Sequence, residues 1–398
     1  MPDIKKNIKL LLNKATGIKF SKKKLPETND IRKILIISLY FAGDLLFHSA
    51  VIEILKKLYS NASIDLLTRS SSAGLLKNDP RIDNFILYDN LKTTDYRDQS
   101  APDEIGYKNL INDLKIKNYS LIIDLTGKRA TALAVKQIDA GYSIGLNYDY
   151  NGRSYDKFVY SNTASEKGHL IDKYLNVIKS GLNIDNLKWQ ELRKSVLTKP
   201  YIYSDPDSVL KAEKILEKMG LRSKSFAAIH LTSGWPAKEL PLKTFSDLIV
   251  YLESEGINYV LVGDSNDKKR AAEIDEMLSN KFDLKNKFAE ADFKCSSELI
   301  KLSRLFIGSD SAPLHIASAY DIPAVALFGP TNPGFSAPTG KNVKMIYHKL
   351  HCSASDDKQY CTRNGGFTCP YYECMASISS SEIINAVKEL WGSGKVNN

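Results

Sequence analysis

The chain has 398 residues, of which 43% are hydrophobic and 25% charged, a composition typical of a globular protein with two or three domains. No apolar run approaches the roughly 20 residues that cross a bilayer, and the N-terminus lacks the apolar core of a signal peptide. These features exclude a transmembrane or exported protein, so we expect a cytoplasmic one.

The net charge of +9 lies mostly at the start of the chain. Residues 1–24 hold eight lysines and one acidic residue, so they carry seven of those nine charges. Apolar residues between Ile4 and Ala15 recur on one face of a predicted helix, and we treat residues 1–30 as a basic amphipathic extension. Such a helix is typical of a peripheral anchor on an anionic inner-membrane surface, although a helix docked on the protein's own body, or a tail, has the same pattern. The rest of the chain has no basic patch dense enough to follow phosphates, so we expect no nucleic acid partner.

Residues 31–200 alternate between predicted strands and helices, which indicates an α/β unit with a parallel sheet. The predicted strands are 33–39, 63–68, 84–89 and 120–126, and the predicted helices are 44–59, 107–117 and 166–181.

The pattern restarts after a predicted linker at 197–208, so residues 205–345 form a second unit. Two successive doubly wound units with a cleft between them are the simplest architecture. The predicted helices are 207–219, 243–255, 267–279 and 311–320, and the predicted strands are 226–231, 258–263, 304–308 and 322–329. Residues 346–398 form a cysteine-rich segment and a C-terminal helix.

Four polar side chains, Ser309, Asp310, Ser311 and His315, follow one strand of the second unit. Ser311 is a good N-cap for the next helix, so the loop joins the end of a strand to the start of a helix. Open α/β sheets bind ligands at such loops, and the free backbone N–H groups there attract phosphate. The alternative is a capped helix with a partly buried histidine.

Three more loops carry candidate residues. Asp44 begins the first long helix and could act as a general base or only as a helix N-cap. Lys238 could stabilise a diphosphate or lie exposed at the surface. Asp267 follows a strand, as a ribose-binding carboxylate does, or is a charged residue of a first helical turn. Lys128 and Arg129 could meet an anionic acceptor, but we slightly favour a solvated pair.

Four cysteines, Cys352, Cys361, Cys369 and Cys374, cluster within 23 residues, whereas Cys295 stands apart. Thiols stay reduced in the cytosol, so the cluster indicates a zinc or iron site, although it has no C-x-x-C pair. Any metal there would be structural, because the cluster lies outside the other motifs.

The order of these motifs resembles glycosyltransferase family 9, the ADP-heptose:lipopolysaccharide heptosyltransferases. The family begins with an apolar strand, Gly-Asp and a helix, which match Gly43-Asp44 here. Its later pattern matches the stretch from Asp310 to His315 and the following "IPAVALFGPTNP". The ending "CMASISSSEIINAVKEL" also resembles the family's tail, and the resemblance covers roughly residues 31–391.

The resemblance implies a GT-B fold, with an acceptor domain and a donor domain, both Rossmann-like, that face each other across a cleft. It also implies inverting, metal-independent transfer of a heptose from a nucleotide-sugar donor, ADP-heptose, to the anionic core of lipopolysaccharide or lipooligosaccharide. Asp44 matches the family's general base. The donor-binding positions are matched by Thr232, Ser233, Lys238, Asp267, Asp310, Ser311, Ala312 and His315. The family usually has Glu where this chain has Asp267.

Two other activities fit the same motifs. One is a transferase that adds heptose to a surface protein, since such members of the family carry an iron-binding cysteine motif. The other is a GT-B nucleotide-sugar epimerase or a non-catalytic nucleotide-sugar binder. No G-x-G-x-x-G follows the first strand, which argues against a dinucleotide-dependent dehydrogenase.

Overall fold

A computed structural model describes residues 23–89, 104–146, 152–159, 168–195, 199–366 and 368–393. They form two compact units, one within Met1–Thr163 and Leu170–Thr198, the other within Ala164–His169 and Lys199–Asn398. Nearly all of the predicted basic helix at 1–24 falls outside the described residues. In the described ranges, no helix has the length and apolar character needed to cross a membrane.

The first unit is built on a six-stranded parallel sheet with the order β3-β2-β1-β4-β5-β6. Its central strand, β1, pairs with β2 on one side and with β4 on the other. Helices cover both faces of such a sheet, so its central strands are nearly continuous apolar runs. The strands are β1 (Lys33–Ser38), β2 (Ser63–Thr68), β3 (Asn84–Leu87), β4 (Leu121–Asp124), β5 (Tyr142–Leu146) and β6 (Lys157–Val159).

Helices connect these strands, as the predicted α/β alternation requires. The α-helices are α1 (Ala42–Leu58), α2 (Ser70–Ala73), α3 (Glu104–Ile116), α4 (Arg129–Ile138), α5 (Leu170–Gly181) and α6 (Asn186–Ser195). Short 3-10 helices occupy Thr28–Asp30, Gly74–Leu76 and Gly152–Ser154.

The second unit repeats this plan, with a six-stranded parallel sheet in the order β12-β11-β10-β7-β8-β9. Here β7 is the central strand and pairs with β8 and β10. The strands are β7 (Phe226–Ile229), β8 (Asn258–Val262), β9 (Phe288–Ala289), β10 (Leu305–Ser309), β11 (Ala324–Phe328) and β12 (Val343–Tyr347).

The C-terminal helix belongs to the core of this second unit, because Ile383 and Val387 pack with Leu248 and Ile249. The α-helices are α7 (Pro206–Lys218), α8 (Leu242–Ser254), α9 (Ser265–Met277), α10 (Phe293–Leu302), α11 (Ala312–Ala319), α12 (Pro333–Ser336), α13 (Glu373–Ala376) and α14 (Ser380–Ser393). The 3-10 helices are Pro236–Lys238 and Asn364–Gly366.

Both sheets therefore have the Rossmann-type strand order, and the α/β prediction is confirmed. In each unit the chain leaves the central strand, builds one half of the sheet, and returns to the other side of that strand. Open α/β sheets bind ligands at the carboxyl ends of the strands at this switch point. The switch point lies between β1 and β4 in the first unit and between β7 and β10 in the second.

Candidate functional site

Asp310 follows β10 and gathers three loops of the second unit around its buried carboxylate, which is 5% exposed. Its Oδ2 accepts hydrogen bonds from Lys238 Nζ at 2.8 Å and from Thr331 Oγ1 at 2.7 Å. Its Oδ1 accepts one from Ser336 Oγ at 3.2 Å and lies 3.5 Å from His315 Nε2. We call these five residues the Asp310 cluster.

The charge state of Asp310 is set by two opposing effects. Burial by itself would raise the pKa of the carboxyl group, but the nearby Lys238 ammonium and His315 outweigh burial. The pKa of Asp310 is therefore held well below its usual range, and the group remains a carboxylate at neutral pH.

Lys238 ends the 3-10 helix Pro236–Lys238 and lies close to the Trp235 ring, with its Nζ 4.8 Å from the ring centroid. Besides the bond to Oδ2, its Nζ donates to the main-chain oxygen of Asp310 at 3.0 Å. Within residues 199–366, Asp310 thus takes two of the three ammonium hydrogens, which leaves one for a ligand. The side chain is 13% exposed, so a negatively charged oxygen can reach it.

Ser311 occupies the N-cap position of α11, as predicted, but its hydroxyl does not cap the helix. That hydroxyl donates to the Ser309 carbonyl at 3.2 Å and lies 3.5 Å from His230 Nδ1. The first N–H groups of a helix have no partner within the helix. The start of α11, at Ala312, therefore keeps its affinity for an anion. The buried His315, in the same helix, faces Asp310.

Asp267 lies in the first turn of α9 and fixes the loop that follows β7. Its Oδ1 accepts from the main-chain N–H groups of Leu231 and Thr232 at 3.0 and 2.9 Å, and its Oδ2 accepts from Thr232 Oγ1 at 3.0 Å. The residue is only 1% exposed. A Cβ atom on Gly263, which has a φ of 152°, would stand 2.1 Å from this carboxylate. A ribose contact, as the resemblance implies, would have to replace one of these internal hydrogen bonds.

The same loop contains Ser233, whose hydroxyl donates to the Trp235 carbonyl at 2.6 Å and accepts from the Trp235 N–H at 3.1 Å. Such local side-chain bonds shape turns. Thr232, Ser233 and Lys238 thus lie on one loop at the carboxyl end of β7, beside the neighbouring strand β10 that leads to Asp310.

Asp44, the predicted base, lies in the first turn of α1, and the N-cap of that helix is Phe41. The alternative that Asp44 is an N-cap is therefore wrong. Tyr174 donates a hydrogen bond from its hydroxyl to Asp44 Oδ1 at 3.2 Å, and its ring meets His48 edge-on with centroids 4.1 Å apart. Burial lowers the pKa of His48 to about 3, and its Nδ1 lies 2.7 Å from Ser38 Oγ. Three uncharged side chains, those of Tyr174, His48 and Ser38, are therefore in contact with one another beside the Asp44 carboxylate.

Lys128 and Arg129 start α4, at the same edge of the first sheet as Asp44. The loops after β1 and β4 are joined by a hydrogen bond from the Leu39 N–H to Thr126 Oγ1 at 2.9 Å and by one from the Tyr40 hydroxyl to the Thr126 carbonyl at 3.0 Å. Lys128 is half-buried and Arg129 is exposed. Their role in binding an anionic acceptor stays a prediction.

The four clustered cysteines, Cys352, Cys361, Cys369 and Cys374, line one small cavity of about 20 Å³. Burial raises the pKa of the Cys374 thiol to about 11, so it is protonated at neutral pH. Across the described ranges, no three His, Cys, Asp or Glu side chains are arranged to hold a metal ion. The metal site therefore stays a prediction from the cysteine spacing.

Several residues of these sites were missed from the sequence, among them Thr331, Ser336 and Tyr174. Thr331 lies inside the quoted "ALFGPTNP" run, so a polar residue after the β11 strand was an available signal. Tyr174 lies within the predicted helix 166–181 but was not among the candidate residues. Its hydroxyl role depends on a contact across 130 residues of sequence, which no local pattern contains.

Comparison with known proteins agrees with this geometry. The profile of glycosyltransferase family 9 (heptosyltransferase) matches residues 107–364. The chain is 26% identical over 354 residues to lipopolysaccharide heptosyltransferase 3 of Escherichia coli, which covers 88% of this chain and 96% of that protein.

Two solved structures share the fold. The family 9 glycosyl transferase from Veillonella parvula DSM 2008 gives a TM-score of 0.71 at 19% identity, over 94% of this chain and 100% of that one. The structure of the ADP-heptose LPS heptosyltransferase II of E. coli gives a TM-score of 0.70 at 18% identity, over 92% of this chain and 100% of that one. These likenesses, with the two Rossmann-type sheets, establish the GT-B fold that the sequence predicts. Since the family profile covers more than half of its residues, the chain belongs to glycosyltransferase family 9, the heptosyltransferase family, and is a glycosyltransferase.

Proposed function

We propose that this enzyme transfers a heptose from ADP-heptose to a sugar of the lipopolysaccharide or lipooligosaccharide core, with inversion at the anomeric carbon and no metal in the catalytic step. The observation that carries the proposal is the Asp310 cluster, which presents a held lysine beside a helix start at the switch point of the second sheet. The names of the E. coli relative and of the E. coli heptosyltransferase structure support the donor and the acceptor.

The first chemical requirement is to stabilise charge on the departing nucleotide diphosphate. The remaining ammonium hydrogen of Lys238 can bind a phosphate oxygen, and the N-terminal end of α11 carries a positive partial charge. A cation held in place by Asp310 needs no reorganisation as negative charge develops. We therefore assign to Lys238 and to the start of α11 the role that a metal ion plays in other transferases.

The second requirement is a base for the acceptor hydroxyl. Asp44 is half-buried in the first turn of α1, where the helix dipole favours a carboxylate. The hydroxyl of Tyr174 donates a hydrogen bond to Oδ1 of Asp44, which orients the carboxylate as a proton acceptor. We propose that Asp44 takes the proton of the acceptor hydroxyl as the oxygen attacks the anomeric carbon from the face opposite the leaving diphosphate.

The acceptor is an anionic glycolipid in this proposal. Lys128 and Arg129 lie at the same sheet edge as Asp44 and supply positive charge for core phosphates or acidic sugars. The basic segment at 1–24 would keep the enzyme at the cytoplasmic surface of the inner membrane, where such an acceptor is built.

The test is a transfer assay with ADP-heptose and a core oligosaccharide that lacks its terminal heptose. We expect a product heavier by one heptose in mass spectrometry, an inverted anomeric centre by NMR, and an unchanged rate in excess EDTA. Retention of configuration would contradict the mechanism. Transfer to a protein acceptor but not to the oligosaccharide would support the protein-modifying alternative instead.

A further inference from the structure

The segment that carries the four clustered cysteines, residues 350–366 and 368–376, lies between β12 and α14, and we call it the cysteine segment. It pairs with the loop after β11. Thr331 and Tyr360 form an antiparallel bridge, the Asn332 N–H donates to the Gln359 carbonyl at 2.9 Å, and the Cys361 N–H donates to the Pro330 carbonyl at 2.9 Å. These bonds fix the main chain on both sides of Thr331, the residue that donates to Asp310.

The cysteine segment also packs against the loop that ends in Lys238. The rings of Tyr360 and Trp235 lie 5.8 Å apart. Gly365 has a φ of 68°, and a Cβ atom there would stand 2.7 Å from the Trp235 ring. A Cβ atom on Gly366 would stand 2.3 Å from Cβ of Ala237. Because the two glycines have no Cβ atom, the backbone of the cysteine segment can lie closer to Trp235 and Ala237 than any other residue would allow.

The two braced loops supply the two donors to Asp310 Oδ2, Thr331 at 2.7 Å and Lys238 at 2.8 Å. The cavity lined by the four cysteines has Ala237, Gly329 and Pro330 in its wall, so it lies where the cysteine segment meets both loops. A shift of the segment would therefore move both partners of Asp310 together.

We propose that the cysteine segment is a positioning element of the donor site, in which Tyr360 and Gly365 hold the Trp235–Lys238 and Pro330–Asn332 loops at the spacing that the Asp310 cluster requires. The inference rests on the proposed function, since it assigns donor binding to that cluster. Its physical basis is that a binding group must be held within a fraction of an ångström by the packing behind it.

The sharpest test compares Gly365→Ala with Gly220→Ala. Both glycines have a φ of 68°, so both substitutions place alanine at the same left-handed φ, but a Cβ atom at Gly220 meets nothing within 4 Å. We expect Gly365→Ala to weaken ADP binding in isothermal titration by up to about 100-fold, the cost of misplacing a group by about 1 Å. It should raise the KM for ADP-heptose without raising that for the acceptor. Gly220→Ala should bind ADP as the wild type does.

A second comparison keeps the backbone unchanged. Tyr360→Ala should weaken ADP binding and speed amide exchange in residues 235–239 and 329–332, because the ring against Trp235 is lost. Tyr360→Phe keeps the ring and should restore both properties. Tyr371→Ala is the matched control, since this tyrosine of the same segment is 74% exposed.

The possible results distinguish a failure of the positioning role from a failure of the proposed function. Wild-type amide exchange at both loops in Gly365→Ala and Tyr360→Ala would overturn the positioning role, whatever the ligand. Unchanged ADP affinity in these variants, with a loss in Lys238→Ala, would also overturn it and leave the proposed function standing. If the wild-type enzyme does not bind ADP, the proposed donor is wrong, while faster loop exchange would still show that the segment supports the loops. Should Gly365→Ala fail to fold, the Tyr360 pair decides.

Discussion

At the scale of single residues, two buried carboxylates of the second unit, Asp310 and Asp267, organise loops rather than face solvent. Asp310 is bonded by Lys238, Thr331 and Ser336, and Asp267 holds Thr232 and the main chain before it. Both were predicted as donor-binding positions. In the structure their oxygens are occupied by the chain's own donors, so we expect them to act on the donor chiefly through the groups they hold.

The pH dependence of stability follows from the charge of Asp310. Its pKa in the folded protein is well below the unfolded value of about 3.9, so its stabilising contribution is fully present above about pH 4 and is lost as the pH falls toward the folded pKa. Asp310→Asn should lower the free energy of unfolding at pH 7 by about 3–5 kcal/mol, because the Lys238 ammonium is left without its counter-charge. Urea titrations at pH 7 and pH 3 measure this difference, which should shrink at pH 3.

The control for Asp310→Asn is Glu290→Gln. Glu290 pairs with Lys268 at 3.2 Å, but its side chain is 83% exposed. Exposed ion pairs contribute little to stability, so this change should lower the free energy of unfolding by less than about 1 kcal/mol at either pH. If Asp310→Asn lowers the free energy of unfolding by as little as Glu290→Gln does, the buried ion pair does not stabilise the fold as predicted.

A second residue-scale prediction concerns the base. Asp44→Asn keeps the shape of the side chain and its place in α1 but cannot take a proton. It should leave ADP affinity nearly unchanged and lower kcat by about 10²–10⁴-fold, the range for a positioned general base. Titration with ADP beside the transfer assay on the same protein checks this. Full turnover would reduce Asp44 to a residue that only favours the helix start.

At the scale of elements, the cysteine segment contains the predicted metal site. We propose that its four clustered thiols bind one structural zinc or iron ion. Cys369→Ser should then lower the melting temperature and the metal content of the purified protein together. Cys295→Ser is the control for metal content, because Cys295 lies in α10 and outside the cavity.

Elemental analysis of the native protein tests whether the cysteine segment binds zinc or iron. Less than about a tenth of an equivalent of zinc and iron would count against a closed structural site. The positioning role of the cysteine segment would be unaffected by that result, since it rests on Tyr360, Gly365 and main-chain hydrogen bonds.

The elements themselves were predictable to different degrees. The strongly apolar strands β1, β2, β7 and β10, and the helices α1, α8 and α11, lie within a few residues of the predicted ranges. The short helix α2 after β2 was not predicted. Strand β5, "YSIGL", was not predicted. Its Gly145 lies under the Tyr155 ring, where a Cβ atom would stand 2.3 Å away, and glycine weakens the local strand signal. Strand β9, Phe288–Ala289, has two residues and is too short to show any period.

At the scale of the whole molecule, the charge asymmetry predicts a peripheral membrane contact. Residues 1–24 carry seven of the nine net positive charges, and residues 1–22 lie outside the described part. Deleting 1–24 should reduce sedimentation with anionic liposomes, and the difference should be larger at low salt because charge attraction is then less screened. Neutral liposomes are the control. Equal partitioning of the full-length and truncated proteins onto anionic vesicles would exclude the anchor.

The sequence by itself determined the α/β class, the family, and the loops in which the candidate residues lie. These features depend on hydrophobic periodicity and on short motifs, and both are local properties of a chain. A polar residue after a buried strand can be recognised without knowing its neighbours.

Only the tertiary structure decided what those residues contact. Lys238 reaches Asp310 from 72 residues away, Thr331 from 21, and Tyr174 reaches Asp44 from 130. These pairs exist because the order of strands in each sheet brings distant loops to one edge, and strand order is a property of the assembled sheet. For the same reason, only the structure showed that the cysteine segment lies against the loops of the Asp310 cluster.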